Sequence, residues 1–287
     1  MRVSIVDAHC DTLARLSSAD EFIHGRDDFH LDLPRLLESG VSHQIMAVCC
    51  EAHRGNEKEV WNRSAAFFRE LQATEKPVLH FALEGCLAIY EGWSIPAVPL
   101  VASLTWNGDN PYAGGIGSSM NLTEEGKRLA VRLHSEGTAL DVSHLNDRSR
   151  KSLMKLGFPV CATHCNARAL CTGMNRNLPD EDLREIAARG GVVGVTFVPD
   201  FLADNREDAT IEAIVNHVEY IAELTSLETV AFGSDFDGVD ALPGGISGAE
   251  SWKQVIDAFV NRGWPEEDIK KVAGENWQRF FKLNKED

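Results

Sequence analysis

The sequence predicts an α/β protein of the (β/α)8, TIM-type barrel class, and three observations carry that prediction. Apolar, β-branched runs alternate with amphipathic, helix-period segments from one end of the chain to the other, the pattern of a parallel α/β protein. At 287 residues the chain matches the size of one such barrel, for which about 250 is typical. Polar residues of metal-binding and acid–base type stand just after five of the apolar runs, where a barrel collects its chemistry into a single mouth.

The eight strand candidates, in order, are Val3–Ala8, Ser42–Cys50, Val78–Leu83, Val98–Leu104, Thr138–Val142, Val160–Thr163, Val192–Phe197 and Val230–Ser234. Between them the spacing predicts helices over Leu33–Glu38, Glu57–Thr74, a short one near Leu87–Tyr90, Glu124–Ser135, Arg148–Leu156, Glu181–Ala188 and Thr210–Leu224, with two or three more after the last strand. In Glu124–Ser135, Leu129, Ala130 and Leu133 recur at helical spacing; Thr123 suits an N-cap and Gly137 a stop. Pro179-Asp180-Glu181 and Trp264-Pro265-Glu266-Glu267 place proline and acidic residues where a first helical turn favours them. No Pro/Gly/Ser linker, low-complexity tract or repeat interrupts the chain, so residues 1–287 are expected to form one domain. The connections Glu51–Glu57, Thr105–Leu122 and Thr163–Pro179 are longer and more polar than a minimal βα loop needs, which marks them as carriers of function.

With 28 Lys+Arg against 44 Asp+Glu the formal net charge is −16, which argues against nucleic-acid or anionic-membrane partners. The N-terminus enters a strand at once and reaches charge too early for a secretory signal or a membrane helix, so a cytoplasmic enzyme is expected. Seven cysteines, odd in number and mostly set in apolar runs, read as small buried hydrophobes in a reducing compartment. Cys161 and Cys165 flank His164, but no second Cys/His pair at zinc-site spacing accompanies them.

The stretch Val3-Ser4-Ile5-Val6-Asp7-Ala8-His9-Cys10-Asp11 delivers a histidine and an aspartate two residues apart into a turn. Residues i and i+2 of an extended chain face the same way, so His9 and Asp11 can address one cation, with a ligand set that suits zinc. Glu84 follows the third run, His144 the fifth, His164 the sixth and Asp235 the eighth. Taken singly, each is an ordinary cap or hydrogen-bonding group. Together, three histidines and three carboxylates can hold two divalent cations, with Glu84 as the bridge, His9 and Asp11 on one ion and His144 and His164 on the other. His24, His30, His43, His53, His80, His134 and His217 lie in helical, polar or mid-strand context and are expected to be structural.

The motifs Asp7-Ala8-His9-Cys10-Asp11, Leu83-Glu84-Gly85, Leu140-Asp141-Val142-Ser143-His144, Thr163-His164-Cys165-Asn166-Ala167-Arg168, Asn175-Arg176-Asn177-Leu178-Pro179-Asp180 and Gly233-Ser234-Asp235-Phe236-Asp237-Gly238-Val239 resemble, in order, those of the membrane (renal) dipeptidase family, the M19 metallopeptidases. The resemblance implies a binuclear zinc site in a (β/α)8 barrel that hydrolyses dipeptides and tolerates a C-terminal D-residue. It places His9 and Asp11 on the first zinc, Glu84 between the two, and His144 and His164 on the second. Arg176 matches the family arginine that contacts substrate, and Asp235 the acidic residue beside the metal-bound water. One departure stands after Leu104-Thr105, where mammalian members carry a histidine: here the chain reads Trp106-Asn107. Tryptophan offers one N–H donor and no acceptor, which leaves Asn107 as a candidate contact to the substrate. The signal and lipid-anchor segments of the mammalian relatives have no counterpart, so membrane attachment does not carry over.

The expected mechanism is attack by a metal-bridged hydroxide, with Asp235 orienting the nucleophile and passing the proton to the leaving amine. Asp237 is the rival for that role, although its Gly-rich turn suits a structural hydrogen-bonder. Arg176 would pin the free carboxylate of a dipeptide by a bidentate contact, and Asn166 and Arg168 would support His164 or cap the turn behind it. Two other readings stay open: an amidohydrolase-type barrel acting on cyclic amides or by deamination, and a metal-binding homologue with weakened chemistry. Amidohydrolase-type barrels usually begin with His-x-His, and the His9-x-Asp11 start favours the dipeptidase. Oligomeric state, a homodimer included, is not legible.

Overall fold

The computed structural model describes residues 3–284; the outermost residues of the expected 1–287 domain lie outside them. All eight strands form: β1 (Ile5–Cys10), β2 (Val41–Val48), β3 (Val78–Glu84), β4 (Val101–Ser103), β5 (Ala139–Asp141), β6 (Val160–Cys161), β7 (Val193–Val195) and β8 (Val230–Phe232). They are parallel and lie in the order β6-β5-β4-β3-β2-β1-β8-β7. Main-chain bonds across the remaining seam close the barrel: Ala162 N–H donates to Val192 O at 3.0 Å, and Gly194 N–H donates to Ala162 O at 2.7 Å.

Eight principal helices follow the strands: α1 (Leu33–Ser39), α2 (Glu57–Leu71), α3 (Leu87–Tyr90), α4 (Glu124–Ser135), α5 (Asp147–Met154), α6 (Asp180–Ala188), α7 (Ile211–Leu224) and α8 (Trp252–Asn261). The expected caps form. Thr123 Oγ1 accepts from Gly126 N–H at 2.9 Å, Gly137 takes φ +91°, and α4 buries Leu129, Ala130 and Leu133 against the barrel. Short helices at Thr12–Arg15, Ala19–His24 and Pro199–Leu202 were not anticipated; four to six residues are too few to display a 3.6-residue period.

Strand parity divides the core. Val6, Ala8, Ile45, Ala47, Ala82, Val101, Cys161, Val192 and Ala231 fill the barrel interior over Trp277, whose Nε1–H donates to Phe232 O at 2.8 Å. Outward-facing residues such as Ile5, Met46, Phe81 and Phe232 pack under the helices. Near the mouth the wall narrows: a Cβ at Gly194 or Gly233 would lie 2.1 or 1.8 Å from Thr163 O, so only glycine lets that carbonyl approach. The loops above are tied together by Glu51, whose carboxylate accepts from Leu87 N–H (3.1 Å), Trp106 N–H (3.2 Å) and Asn110 Nδ2 (2.9 Å). No helix among the described residues is long and apolar enough to cross a membrane. All seven cysteines are buried and unbridged.

Candidate active site

The six residues singled out at strand ends meet at the mouth of the barrel. His9 arrives by a bulge in β1: Asp7 pairs with Gln44 and Cys10 with Met46, so Ala8 and His9 together oppose Ile45 and both turn inward. Asp11 follows as the strand gives way to helix. Glu84 is the last residue of β3, and His164 lies just beyond β6. His144 and Asp235 sit in the turns after β5 and β8 with φ of +66° and +64°, a left-handed conformation that costs a residue with a side chain of order 1 kcal/mol or more. Both turns are held by their surroundings. Asp7 accepts from Ser234 N–H at 2.8 Å and from Ser234 Oγ–H at 2.6 Å, and Ser234 Oγ accepts from Phe236 N–H at 3.1 Å.

Glu84 Oε1 is the centre of the cluster. The Nε2 atoms of His144, His164 and His9 lie 2.5, 3.5 and 3.8 Å from it. His144 Nε2 and His164 Nε2 are 2.9 Å apart, and His9 stacks on His164 with ring centroids 3.7 Å apart. On its other side His9 Nε2 faces Asp11 Oδ2 at 3.6 Å and Asp235 Oδ1 at 3.8 Å. Two groups, His9/Glu84/His164 and His9/Asp11/Asp235, each bring three ligand atoms within 4.8 Å of one another. A Cβ at Gly238 would lie 2.4 Å from both Asp11 Oδ2 and Asp235 Oδ1, so a bare backbone walls that pair.

The donor inventory fits a cation. His144 Nδ1 meets Asn107 Oδ1 at 2.8 Å, which calls for N–H at Nδ1 and leaves Nε2 as a lone pair. Burial, with the positive charges of Arg176 and His9, drives His144 and His164 well below the usual histidine range and keeps them neutral. Burial raises Glu84. Burial, followed by the charge of Glu84, raises Asp11 to about 6; burial, with Asp11 adding to it, raises Asp235 to about 6. His9 is pulled the other way: burial alone lowers it, but Asp11, Glu84 and Asp235 raise it to about 10. His9 Nε2 and Asp11 Oδ1 are buried without a hydrogen-bond partner. Neutral imidazole nitrogens and carboxylate oxygens crowded together, with Asp11 Oδ1 unspent and His9 Nε2 holding a proton that no partner accepts, are what a divalent ion satisfies as it displaces that proton.

Arg176 borders the cluster and its charge is felt at Glu84, Asp235, His144 and His164. Its Nη1–H donates to Cys165 Sγ at 2.9 Å and the guanidinium lies 5.6 Å from the Phe201 ring centroid, while Nε and Nη2 are buried and unpartnered. Trp106 packs beside His144 with ring centroids 6.3 Å apart. Asp237 does not reach the cluster's chemistry: its carboxylate accepts from Thr12 Oγ–H at 2.6 Å and His30 N–H at 2.8 Å, a structural use. Asn166 ties Thr196 and Phe201, and Arg168 holds Asp147 and loop carbonyls. His217 bridges Ala167 N–H and Leu202 O inside the core. Sequence reasoning missed Cys49, whose buried thiol hydrogen-bonds Glu84; at the end of an apolar run nothing distinguished it from a packing residue.

Comparison with known proteins adds family and fold. The sequence pattern of membrane dipeptidases (peptidase family M19) matches residues 100–286. The chain is 34% identical over 189 residues to an uncharacterised protein in the pqqA 5′ region of Klebsiella pneumoniae, covering 62% of this chain and 69% of that one. Dipeptidase AC, a metallo peptidase of family M19, superposes with a TM-score of 0.82 at 23% identity over 99% of each chain. A metallo peptidase from Rhodobacter sphaeroides, solved with a phosphinate mimic of the dipeptide L-Ala-D-Ala, gives 0.81 at 22% identity, again over 99% of each chain.

Proposed function

The chain belongs to the membrane dipeptidase family, peptidase family M19, and from that premise we propose that it hydrolyses dipeptides, including those with a C-terminal D-residue, using two zinc ions. The observation that carries the reading is the convergence of three histidine Nε2 atoms on Glu84 Oε1, with Asp11 and Asp235 beyond His9. His9 and Asp11 would hold one ion, His144 and His164 the other, and Glu84 both. When bound, such a pair polarises the scissile carbonyl and acidifies the attacking water.

The chain's own residues supply the rest. The free Nε–Nη2 edge of Arg176 receives the substrate carboxylate as a bidentate pair, and the Asp11–Asp235 side takes the free amine. That demand for both termini restricts the site to dipeptides. Asp235, raised to about 6 by burial, can both accept and return a proton near neutrality; it orients the nucleophile and delivers the proton to the leaving nitrogen. Asn107 presents Oδ1 to His144 and has its NH2 left for the carbonyl oxygen of the substrate. Acceptance of a D-residue is supported by the L-Ala-D-Ala mimic bound by the Rhodobacter sphaeroides relative. A cytoplasmic, single-domain enzyme over residues 1–287 completes the reading, supported by the seven free cysteines.

The test is metal-stripped full-length protein reloaded with Zn2+ and given L-Ala-D-Ala, L-Ala-L-Ala and a library varied at both positions. Release of free amino acids that a chelator abolishes is expected. Zinc-loaded protein that cleaves no member of the library would refute the assignment.

A further inference from the structure

Asp141 closes β5 beneath the site and is buried. Its Oδ1 accepts from the main-chain N–H groups of Ser143 at 2.8 Å and Thr163 at 3.1 Å, which fixes the carboxylate in the wall between β5 and β6. Its Oδ2 lies 2.5 Å from Thr163 Oγ1. That hydroxyl in turn meets His164 Nδ1 at 2.8 Å and, at the long end of hydrogen-bond range, His9 Nδ1 at 3.5 Å.

We propose that Asp141 and Thr163 form a positioning relay that sets the tautomer of His164 and holds His9 by its Nδ1–H, so that Nε2 of each ring is the nitrogen presented to metal. A carboxylate has no hydrogen to give, so the Thr163 hydroxyl donates to Asp141. Its single hydrogen is then spent, and it can only accept from the two imidazoles. Both Nδ1 atoms must therefore carry the proton. In the neutral imidazole of His164 that leaves Nε2 bare, in His9 it leaves Nε2 as the nitrogen that gives up its proton to a metal, and Nε2 is the atom each ring turns toward Glu84 Oε1. Because the bonds run from one hydroxyl to a histidine of each proposed ion, the relay serves both sites at once. It rests on the metal-site reading above.

The relay has a direction, and the direction can be reversed without changing shape. In Asp141→Asn the amide oxygen still accepts from the Ser143 and Thr163 N–H groups, while its NH2 now donates to Thr163 Oγ1. The hydroxyl hydrogen turns onto His164 Nδ1 and the proton of that ring moves to Nε2, where it blocks the metal. Thr163→Val removes the relay at nearly constant volume, and Thr163→Ser restores it.

Two readouts on the full-length chain test this without substrate. Spectra of 15N-histidine in the metal-free protein should show His164 protonated at Nδ1 in the wild type and at Nε2 in Asp141→Asn. Zn2+ affinity, measured by competition with a chromophoric chelator, should fall about 10- to 100-fold in Asp141→Asn and Thr163→Val and return to within a few-fold in Thr163→Ser. An Nε2–H tautomer in the wild type, wild-type zinc affinity in both weakened variants, or a Thr163→Ser loss as deep as that of Thr163→Val would overturn the relay. A failure to cleave dipeptides would leave all of these measurements standing and sink only the proposed activity.

Discussion

Removing Arg176 should erase the enzyme's demand for a free substrate carboxylate. The side chain is 5% exposed, one nitrogen is committed to Cys165 Sγ, and the Nε–Nη2 edge is buried with nothing to bond. Elsewhere in the molecule that same edge grips carboxylates in pairs: Arg206 holds Asp200 at 2.8 and 3.2 Å, and Arg26 holds Asp28 at 2.8 and 2.6 Å. A substrate carboxylate seated alike gains two charge-assisted bonds. Hydrogen bonds to charged groups contribute about 1.5–3 kcal/mol each, and allowing for imperfect additivity the pair is worth about 2–4 kcal/mol. At 1.4 kcal/mol per decade that is roughly a 30- to 700-fold preference in kcat/KM for a dipeptide over its C-terminal amide. Steady-state kinetics on L-Ala-D-Ala and its amide, for wild type and Arg176→Ala, form the cycle. The variant should lose the preference, mainly through KM on the acid, while its rate on the amide changes little. A preference that survives in Arg176→Ala, or an equal loss on both substrates, would show that the arginine holds the fold and not the carboxylate.

Glu84→Gln should strip both ions, since Oε1 faces histidines of both proposed sites, and metal analysis after desalting should find neither. Asp235→Asn should keep two zinc ions and lose roughly 100- to 10,000-fold in kcat; full activity in that variant would remove Asp235 from proton transfer. Gly238→Ala, which puts a methyl 2.4 Å from Asp11 Oδ2 and Asp235 Oδ1, should weaken one zinc site and spare the other in a titration. Metal-free protein should lose stability as pH rises. Burial raises Asp11 and Asp235 to about 6 against an ordinary 3.8, and the surrounding carboxylates, outweighing burial, raise His9 to about 10 against 6.5. Each group binds its proton more tightly folded than unfolded, so stability falls over about pH 4–6 for the aspartates and about pH 6.5–10 for the histidine. Bound zinc displaces those protons, so the Tm gain on adding zinc should widen between about pH 5 and 9; a gain that shrinks would contradict the assigned shifts.

The barrel was legible because its signals are local and repeated. Eight apolar runs became eight strands, most of them shorter than the runs themselves: Val98–Leu104 supplied Val101–Ser103, and Val192–Phe197 supplied Val193–Val195. A run records burial, whereas a strand also requires regular pairing, and residues such as Leu104 and Phe197 are buried beyond the last paired residues of β4 and β7. The caps at Thr123 and Gly137 were readable for the opposite reason, since their bonding is complete within a few residues. The tie from Glu51 to Leu87, Trp106 and Asn110 was not: it joins three loops up to 59 positions apart, and nothing near Glu51 in the sequence marks it.

Within the site, residue types were legible and their delivery was not. Strand alternation would point His9 and Asp11 the same way, yet the chain reaches that result through the bulge that puts Ala8 and His9 on one side of β1. His144 and Asp235 reach the mouth from left-handed turns, a backbone state uncommon for any residue with a side chain, although His and Asp tolerate it better than most, and no local sequence pattern announces it. Regular strands would have spread these groups over the rim, because a barrel wall carries its side chains on fixed, separated rows. Each departure from regularity brings one more candidate metal-binding atom into the cluster around Glu84 and His9, and the two turns are backed by polar contacts: Asp7 on Ser234 beneath Asp235, and Asn107 on the ring of His144. Those contacts give the positional strain a cause. The cluster's like charges and opposed lone pairs oppose assembly, so the wall must hold the proposed ligands in place before any cation arrives to neutralise them.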